Sequence, residues 1–199
     1  MKVENLSTVL DTARGPVRAV DGISFELRKG ECFALVGESG CGKSMTALSL
    51  MRLLPEAGRI VGGRVGLDGV DLLGLPEAAM RAVRGRRVAM IFQEPSTALN
   101  AVLTVGRQIT EVMERHTSEK DTKQKALELL KAVGIPDPER RFDQYPFELS
   151  GGLKQRVMIA AALAVDPEVL IADEPTTALD VTIQAQILAL LKDLQSRFN

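Results

Sequence analysis

The sequence predicts an α/β fold in which a largely parallel sheet is covered by helices. Three apolar runs, Cys32–Val36, Val88–Phe92 and Val169–Ala172, are continuous rather than alternating, as strands buried on both faces require. Stretches of helical periodicity separate them, and a glycine-rich turn follows the first run directly. At 199 residues the chain suits one well-buried domain and is short for two.

Taken in order, the opening third reads as β-rich, with ENLSTVL, VRAVDGISFEL and GGRVGLDG as short strands set off by turns. Cys32–Val36 then leads through Gly37–Ser44 into a helix beginning KSMTALSLMRLL. After the arginines of RGRR comes Val88–Phe92, closed by Gln93-Glu94-Pro95. VGRQITEVMERH and KQKALELLKAVG are helical, divided by the polar TSEKD, and the Pro-rich GIPDPERRFDQYPFE breaks the pattern. SGGLKQRVMIAAALAV restarts a helix, VLIA is the last buried strand, and the closing helix sets Ile183, Ile187, Leu190, Leu191 and Leu194 on one stripe. The helical insertion is expected to form a lobe of its own.

Composition narrows the function classes. Hydrophobic residues make up 45% and charged residues 26%, ordinary for a globular chain, and the net charge of −1 supplies no global attraction for nucleic acid or an anionic membrane. The longest apolar run, Val157–Val165, is too short to span a bilayer. Cys32 and Cys41 lack metal-ligand spacing and read as free thiols of a reducing compartment.

GESGCGKS, Gly37–Ser44, fits the phosphate-loop pattern G-x-x-x-x-G-K-[ST], which a chain of this length matches by accident with a probability of roughly 1%. Its glycines let backbone N–H groups wrap phosphates, Lys43 reaches the terminal ones, and the Ser44 hydroxyl suits Mg²⁺. A surface lysine on a plain turn is the bland alternative. It leaves a cation opposing the dipole of the helix it opens. VLIADEP ends a strand in adjacent acids whose repulsion needs a reason, and a magnesium ion on Asp173 supplies one. Glu174 is then free to orient and deprotonate a water. Gln93, at the matching edge of Val88–Phe92, is placed to touch metal or water. LSGGLKQR offers a second anion seat, with Ser150 as N-cap before Gly151 and Gly152.

With GESGCGKS, Gln93, LSGGLKQR, VLIADE and the ALD of Ala178–Asp180 in this order, the chain resembles the ATP-binding subunit of an ABC transporter over nearly its whole length. QEPSTALNAVLTVGRQI and DEPTTALDVTIQAQIL resemble the oligopeptide/dipeptide importer subfamily, with nickel and glutathione importers as relatives. The resemblance implies a P-loop NTPase (RecA-like) core with a mostly parallel sheet, an N-terminal antiparallel β subdomain and an inserted α-helical subdomain. Residues 1–93 and 166–199 would form the ATP-binding core and about 94–165 the helical subdomain. It further implies ATP and Mg²⁺ as cofactors. ATP would lie on Gly37, Glu38, Ser39, Gly40, Cys41, Gly42, Lys43, Ser44 and Met45. Ser44, Gln93 and Asp173 would serve the metal, and Glu174, Gln93 and Lys43 catalysis. Ser150, Gly151 and Gly152 would cover the ATP of a second ATP-binding subunit in a head-to-tail homo- or heterodimer, with Asp180 at the seam. Permease subunits would meet Gln93 and the helical lobe, an extracytoplasmic solute-binding protein would act through them, and the chain would sit peripherally on the cytoplasmic face of the inner membrane. The competing reading is a soluble ABC-type ATPase of nucleic-acid repair or translation.

Three departures qualify the match. The family's switch histidine lies on a strand beyond the final helix, whereas the sole histidine, His116, falls in the helical lobe as a surface residue. The resemblance thus implies a C-terminally truncated chain, impaired in turnover. No aromatic precedes Phe25 to stack on adenine, which leaves Leu10 or Val17. Finally, Phe147, Leu153 and Lys154 replace the histidine, methionine and arginine that relatives often carry.

Overall fold

The computed structural model describes residues 1–176 and 180–198. They fall into two compact units, residues 1–81 and 82–198.

The first unit is built on an antiparallel sheet of order β2-β1-β3-β4, formed by β1 (Lys2–Thr12), β2 (Gly15–Glu26), β3 (Gly58–Leu67) and β4 (Val70–Asp71). Val3, Leu6, Val9, Val20, Val65 and Leu67 are buried, as are Ala47, Leu50 and Met51 of α1 (Lys43–Met51). Each fully buried large side chain contributes about 1.5–3 kcal/mol. Within this apolar core the Thr8 and Ser49 hydroxyls hydrogen-bond at 2.8 Å, joining β1 to α1, and Ser49 Oγ also donates to Met45 O at 2.6 Å. The expected β-rich opening third is this sheet.

The first apolar run departs from expectation. Cys32–Val36 forms no strand, and Phe33, Leu35 and Val36 are exposed, Val36 by 93%. An extended run becomes a strand only when a neighbour takes its backbone hydrogen bonds, and among the described residues this one pairs with none. Its anchorage is aromatic instead: Phe33 stacks on Phe25 with ring centroids 4.8 Å apart and planes 7° from parallel.

Helix α2 (Glu77–Val83) leads into the second unit, where β5 (Val88–Ile91) and β6 (Val169–Ala172) pair in parallel, Val88 with Val169 through Ile91 with Ala172. Arg87 enters β5 while making two bonds, 2.6 and 2.8 Å, to the Glu168 carboxylate that enters β6. Around the pair lie α3 (Pro95–Ala98), α4 (Val105–His116), α5 (Thr122–Ala132), α6 (Pro138–Phe142), a 3₁₀ turn (Pro146–Glu148), α7 (Gly151–Ala162) and α8 (Val181–Phe198). On α4, Val105, Ile109 and Met113 recur at the four-residue spacing of one face and are all buried. Thr104 caps this helix and Asp121 caps α5, each accepting from the backbone N–H three residues on. On α8, Ile187 and Leu194 are buried while Ile183, Leu190 and Leu191 pack beside them, which is the stripe read from the sequence.

The boundary at residues 81 and 82 differs from the division drawn from the sequence because the helices α4, α5 and α7 share one continuous core with Ile91 of β5 and Ile187 and Leu194 of α8. Apolar faces that bury against one another form one unit whatever their order in the chain. Among the described residues no helix is long and apolar enough to cross a membrane.

Candidate functional site

In the first unit the glycine loop turns sharply into α1. Gly40 (φ +82°) and Gly42 (φ +95°) are both left-handed, and Gly42 is the N-cap. Position 42 has no room for a side chain, since a Cβ there would overlap the carbonyl oxygen of Ala19 in β2. The helix that follows has no side-chain cap and no acid in its first turn. Lys43 folds back over the loop, its Nζ donating to the carbonyl oxygens of Gly37 and Glu38 at 3.0 Å each. Those two carbonyls supply the partial negative charge that phosphate oxygens carry in full. A Cβ at Gly37 would sit 2.5 Å from Cys41 Sγ, so Cys41 lies against the loop's first glycine, and both cysteines are free thiols. Leu10 and Val17, the two candidates for the adenine, are register partners in β1 and β2 and form one apolar spot.

In the second unit the parallel register sets the acids. Because Ile91 pairs with Ala172, the residues after each strand leave the same edge of the sheet, and Asp173 N–H extends the ladder by donating to Ile91 O at 2.9 Å. Asp173 is buried. Glu174 adopts φ +44°, a left-handed conformation that costs a non-glycine residue about 1–2 kcal/mol, and its Oε2 accepts from Gln93 Nε2 at 2.9 Å. Two residues 81 positions apart are thereby joined at the strand edge. Among the described residues no group of three or more His, Cys, Asp or Glu side chains surrounds a single point.

The turn that opens α7, read from LSGGLKQR, is also formed. Ser150 is the N-cap of α7, accepting from Leu153 N–H at 3.4 Å. A Cβ on Gly152 would meet Ile183 Cγ2 at 3.2 Å, which brings the start of α7 beside the start of α8. There Asp180 caps α8: Oδ1 accepts from Ile183 N–H at 3.0 Å and its carbonyl from Gln184 N–H at 2.9 Å. Ala178 and Leu179 lie outside the described residues.

Two cavities, of about 510 and 570 Å³, are lined by none of the predicted site residues. His116, expected on the surface, is half-buried with the turn at Gly85 against its ring. Asp180, expected at the seam, is in addition a helix cap, and the Ala19 carbonyl is a contributor that was not expected. Asp180 as a cap had a signal, an Asp directly before the apolar-periodic VTIQAQIL. The Ala19 carbonyl that closes on Gly42 had none, because a backbone oxygen leaves no mark on the residue type.

The family model for ABC transporters matches residues 20–177. The chain belongs to the ABC transporter family. It is 55% identical to the probable peptide ABC transporter ATP-binding protein y4tR of Sinorhizobium fredii, over 99% of this chain and 60% of that protein. It is 52% identical to the dipeptide transport ATP-binding protein DppD of Bacillus subtilis, over the same shares of 99% and 60%. The dimeric post-hydrolysis structure of the ATP-binding cassette MJ0796 bound to ADP and Pi matches with a TM-score of 0.85 and 28% identity, over 98% of this chain and 83% of that one. The chain thus spans about 60% of the length of each of these two curated relatives.

Proposed function

We propose that this chain is the ATP-binding and ATP-hydrolysing part of a subunit that powers an ABC importer for peptides or related small solutes. The observation that carries the reading is the glycine loop: left-handed Gly42 sealed under Ala19, an α1 start with neither cap nor acid, and Lys43 held on loop carbonyls by bonds a triphosphate replaces. The peptide and dipeptide transport names of the two curated relatives favour this over a nucleic-acid ATPase.

In this reading the backbone of Gly37–Met45 wraps the phosphates, Lys43 leaves the Gly37 and Glu38 carbonyls for the terminal phosphate, and the Leu10–Val17 spot takes the adenine. Ser44, Gln93 and Asp173 would serve Mg²⁺, which when bound would supply neutralisation of the charge on the phosphate oxygens. Glu174 is the general base, positioned by the Gln93 amide, and accepts the proton of the attacking water. Ser150, Gly151 and Gly152 cover the ATP of a second ATP-binding subunit in a head-to-tail dimer, and Asp180, one helix start away, links the two sites. Closure and reopening drive permease subunits fed by an extracytoplasmic binding protein, from the cytoplasmic face of the inner membrane.

Two substitutions test this. Lys43→Ala is expected to abolish binding of a fluorescent ATP analogue, whereas Glu174→Gln keeps binding and lowers single-turnover hydrolysis by about 10²–10⁴-fold. Parental hydrolysis by the glutamine variant would remove Glu174 from the role of base.

A further inference from the structure

The cavity of about 570 Å³ belongs to the second unit and is lined by Arg86, Arg115, His116, Thr117, Ser118 and Val165. None of these is acidic, and three are basic. They come from separate segments: Arg86 from the turn before β5, Arg115 and His116 from the end of α4, Val165 from the stretch after α7. The turn is packed on the helix end. Gly85 has φ +81°, its N–H donates to Val88 O at 2.9 Å, and a Cβ there would lie 3.1 Å from His116 Nε2.

None of the carboxylates near these residues in sequence pairs with Arg86 or Arg115: Glu119, beside Ser118, accepts from the Lys120 and Asp121 N–H groups at 3.1 and 3.5 Å. Glu168 holds Arg87 at 2.6 Å, Asp166 faces Lys125 at 3.8 Å, and Glu114 holds Arg107 at 2.8 Å. Glu111, one turn before Arg115, is exposed and makes no ion pair with it. Among the described residues neither the Arg86 nor the Arg115 guanidinium has an ion-pair or hydrogen-bond partner, and Ser118 Oγ has none. The Thr117 hydroxyl is already used, donating to Met113 O at 2.9 Å.

Cations in the last turn of a helix are favoured by its dipole, which accounts for Arg115 and His116. It does not account for Arg86, which the fold brings to the same cavity from another segment against like charge. Burial, then Arg115 and Arg86, hold the imidazole below the ordinary histidine pKa, so both guanidiniums act on the ring without a carboxylate to offset them.

We propose that this cavity binds a phosphate-type oxyanion, gripped by the guanidiniums of Arg86 and Arg115 with Ser118 Oγ–H as a further donor. Two guanidinium forks approaching from different segments suit a tetrahedral dianion with acceptors on several sides better than a planar carboxylate, which one fork satisfies. The site shares no residue with the glycine loop. Its anion is either a free phosphate or the phosphate of a lipid headgroup.

His116 is the only histidine in the chain, so its Hε1 proton resonance reports on this cavity alone. The chain is titrated with pH in chloride, in inorganic phosphate at equal ionic strength, and with phosphatidylcholine vesicles with and without phosphatidic acid. Phosphate is expected to raise the His116 pKa. In the R86Q/R115Q double variant the pKa starts higher and phosphate leaves it unmoved. If only the phosphatidic acid vesicles raise it, and the double variant loses that response, the same site takes a headgroup. A pKa that neither probe moves, or that both chains shift equally, overturns the proposal.

Discussion

Helices α1 and α7 both begin at glycines and both read as anion seats, yet their starts are built differently. At α7 the Ser150 side chain already accepts from Leu153 N–H and Lys154 N–H closes on the Ser150 carbonyl, so this helix is capped from within the chain. At α1 the N-cap is a left-handed glycine with no side chain to offer, and the adjacent cation lies on the loop's own carbonyls. No acid in the first turn of the helix offsets that cation, and an anion bound at the loop would. On the proposed reading the serine-capped turn would present a rigid surface to a partner's ligand, whereas the glycine loop would cradle its own.

The strongest way to break this contrast is Gly42→Ala. Its Cβ would overlap the Ala19 carbonyl at a φ of +95°, so either the loop or β2 must move. We expect a loss of about 2–4 kcal/mol, from overpacking added to left-handed strain, and a thermal midpoint about 10 °C lower. ATP-analogue binding should fall with it. A variant that melts and binds as the parent does would show that the loop is not held against β2.

Ser150→Ala sharpens the other half. Losing an N-cap costs about 1 kcal/mol, which lowers the midpoint by roughly 2–4 °C and leaves ATP-analogue binding to the glycine loop untouched. Asp180→Ala on α8 is the companion, since it removes the same kind of bond, Oδ1 to Ile183 N–H. Calorimetry on both variants checks the size. An analogue affinity that drops with Ser150→Ala in the isolated chain would mean that the turn opening α7 serves its own loop rather than a partner's.

The sequence disclosed most where one segment suffices. Helices α4, α5 and α8 announce themselves by periodicity, β5 and β6 by unbroken apolar runs, and α7 by Ser150 as the N-cap at its start. Pairing was not legible. Cys32–Val36 has the composition of a buried strand, but a strand is a property of two segments, and this run stays exposed with Phe33 on Phe25. The site divides in the same way. Each motif could be read on its own, while the Gln93–Glu174 bond and the closeness of Gly152 to Ile183 depend on β5 and β6 being in register and α7 lying beside α8.

At the end of α4 the relation between dipole and charge is reversed, and so is the expected effect of pH. The dipole favours cations there, yet burial and the neighbouring Arg115 and Arg86 lower the His116 pKa below its ordinary 6.5. The unfolded chain therefore takes up the proton more readily than the folded one. Stability from this group is fully present above pH 6.5 and is lost as pH falls through the folded-state value. Denaturant midpoints measured across that range should decline toward acid more steeply in the parent than in His116→Asn, a small effect because the ring is only partly buried. R115Q, which removes one of the two opposing cations, should flatten the parent's decline. Equal slopes in all three chains would mean that the imidazole meets the same surroundings folded and unfolded, and that the Gly85 turn does not enclose it.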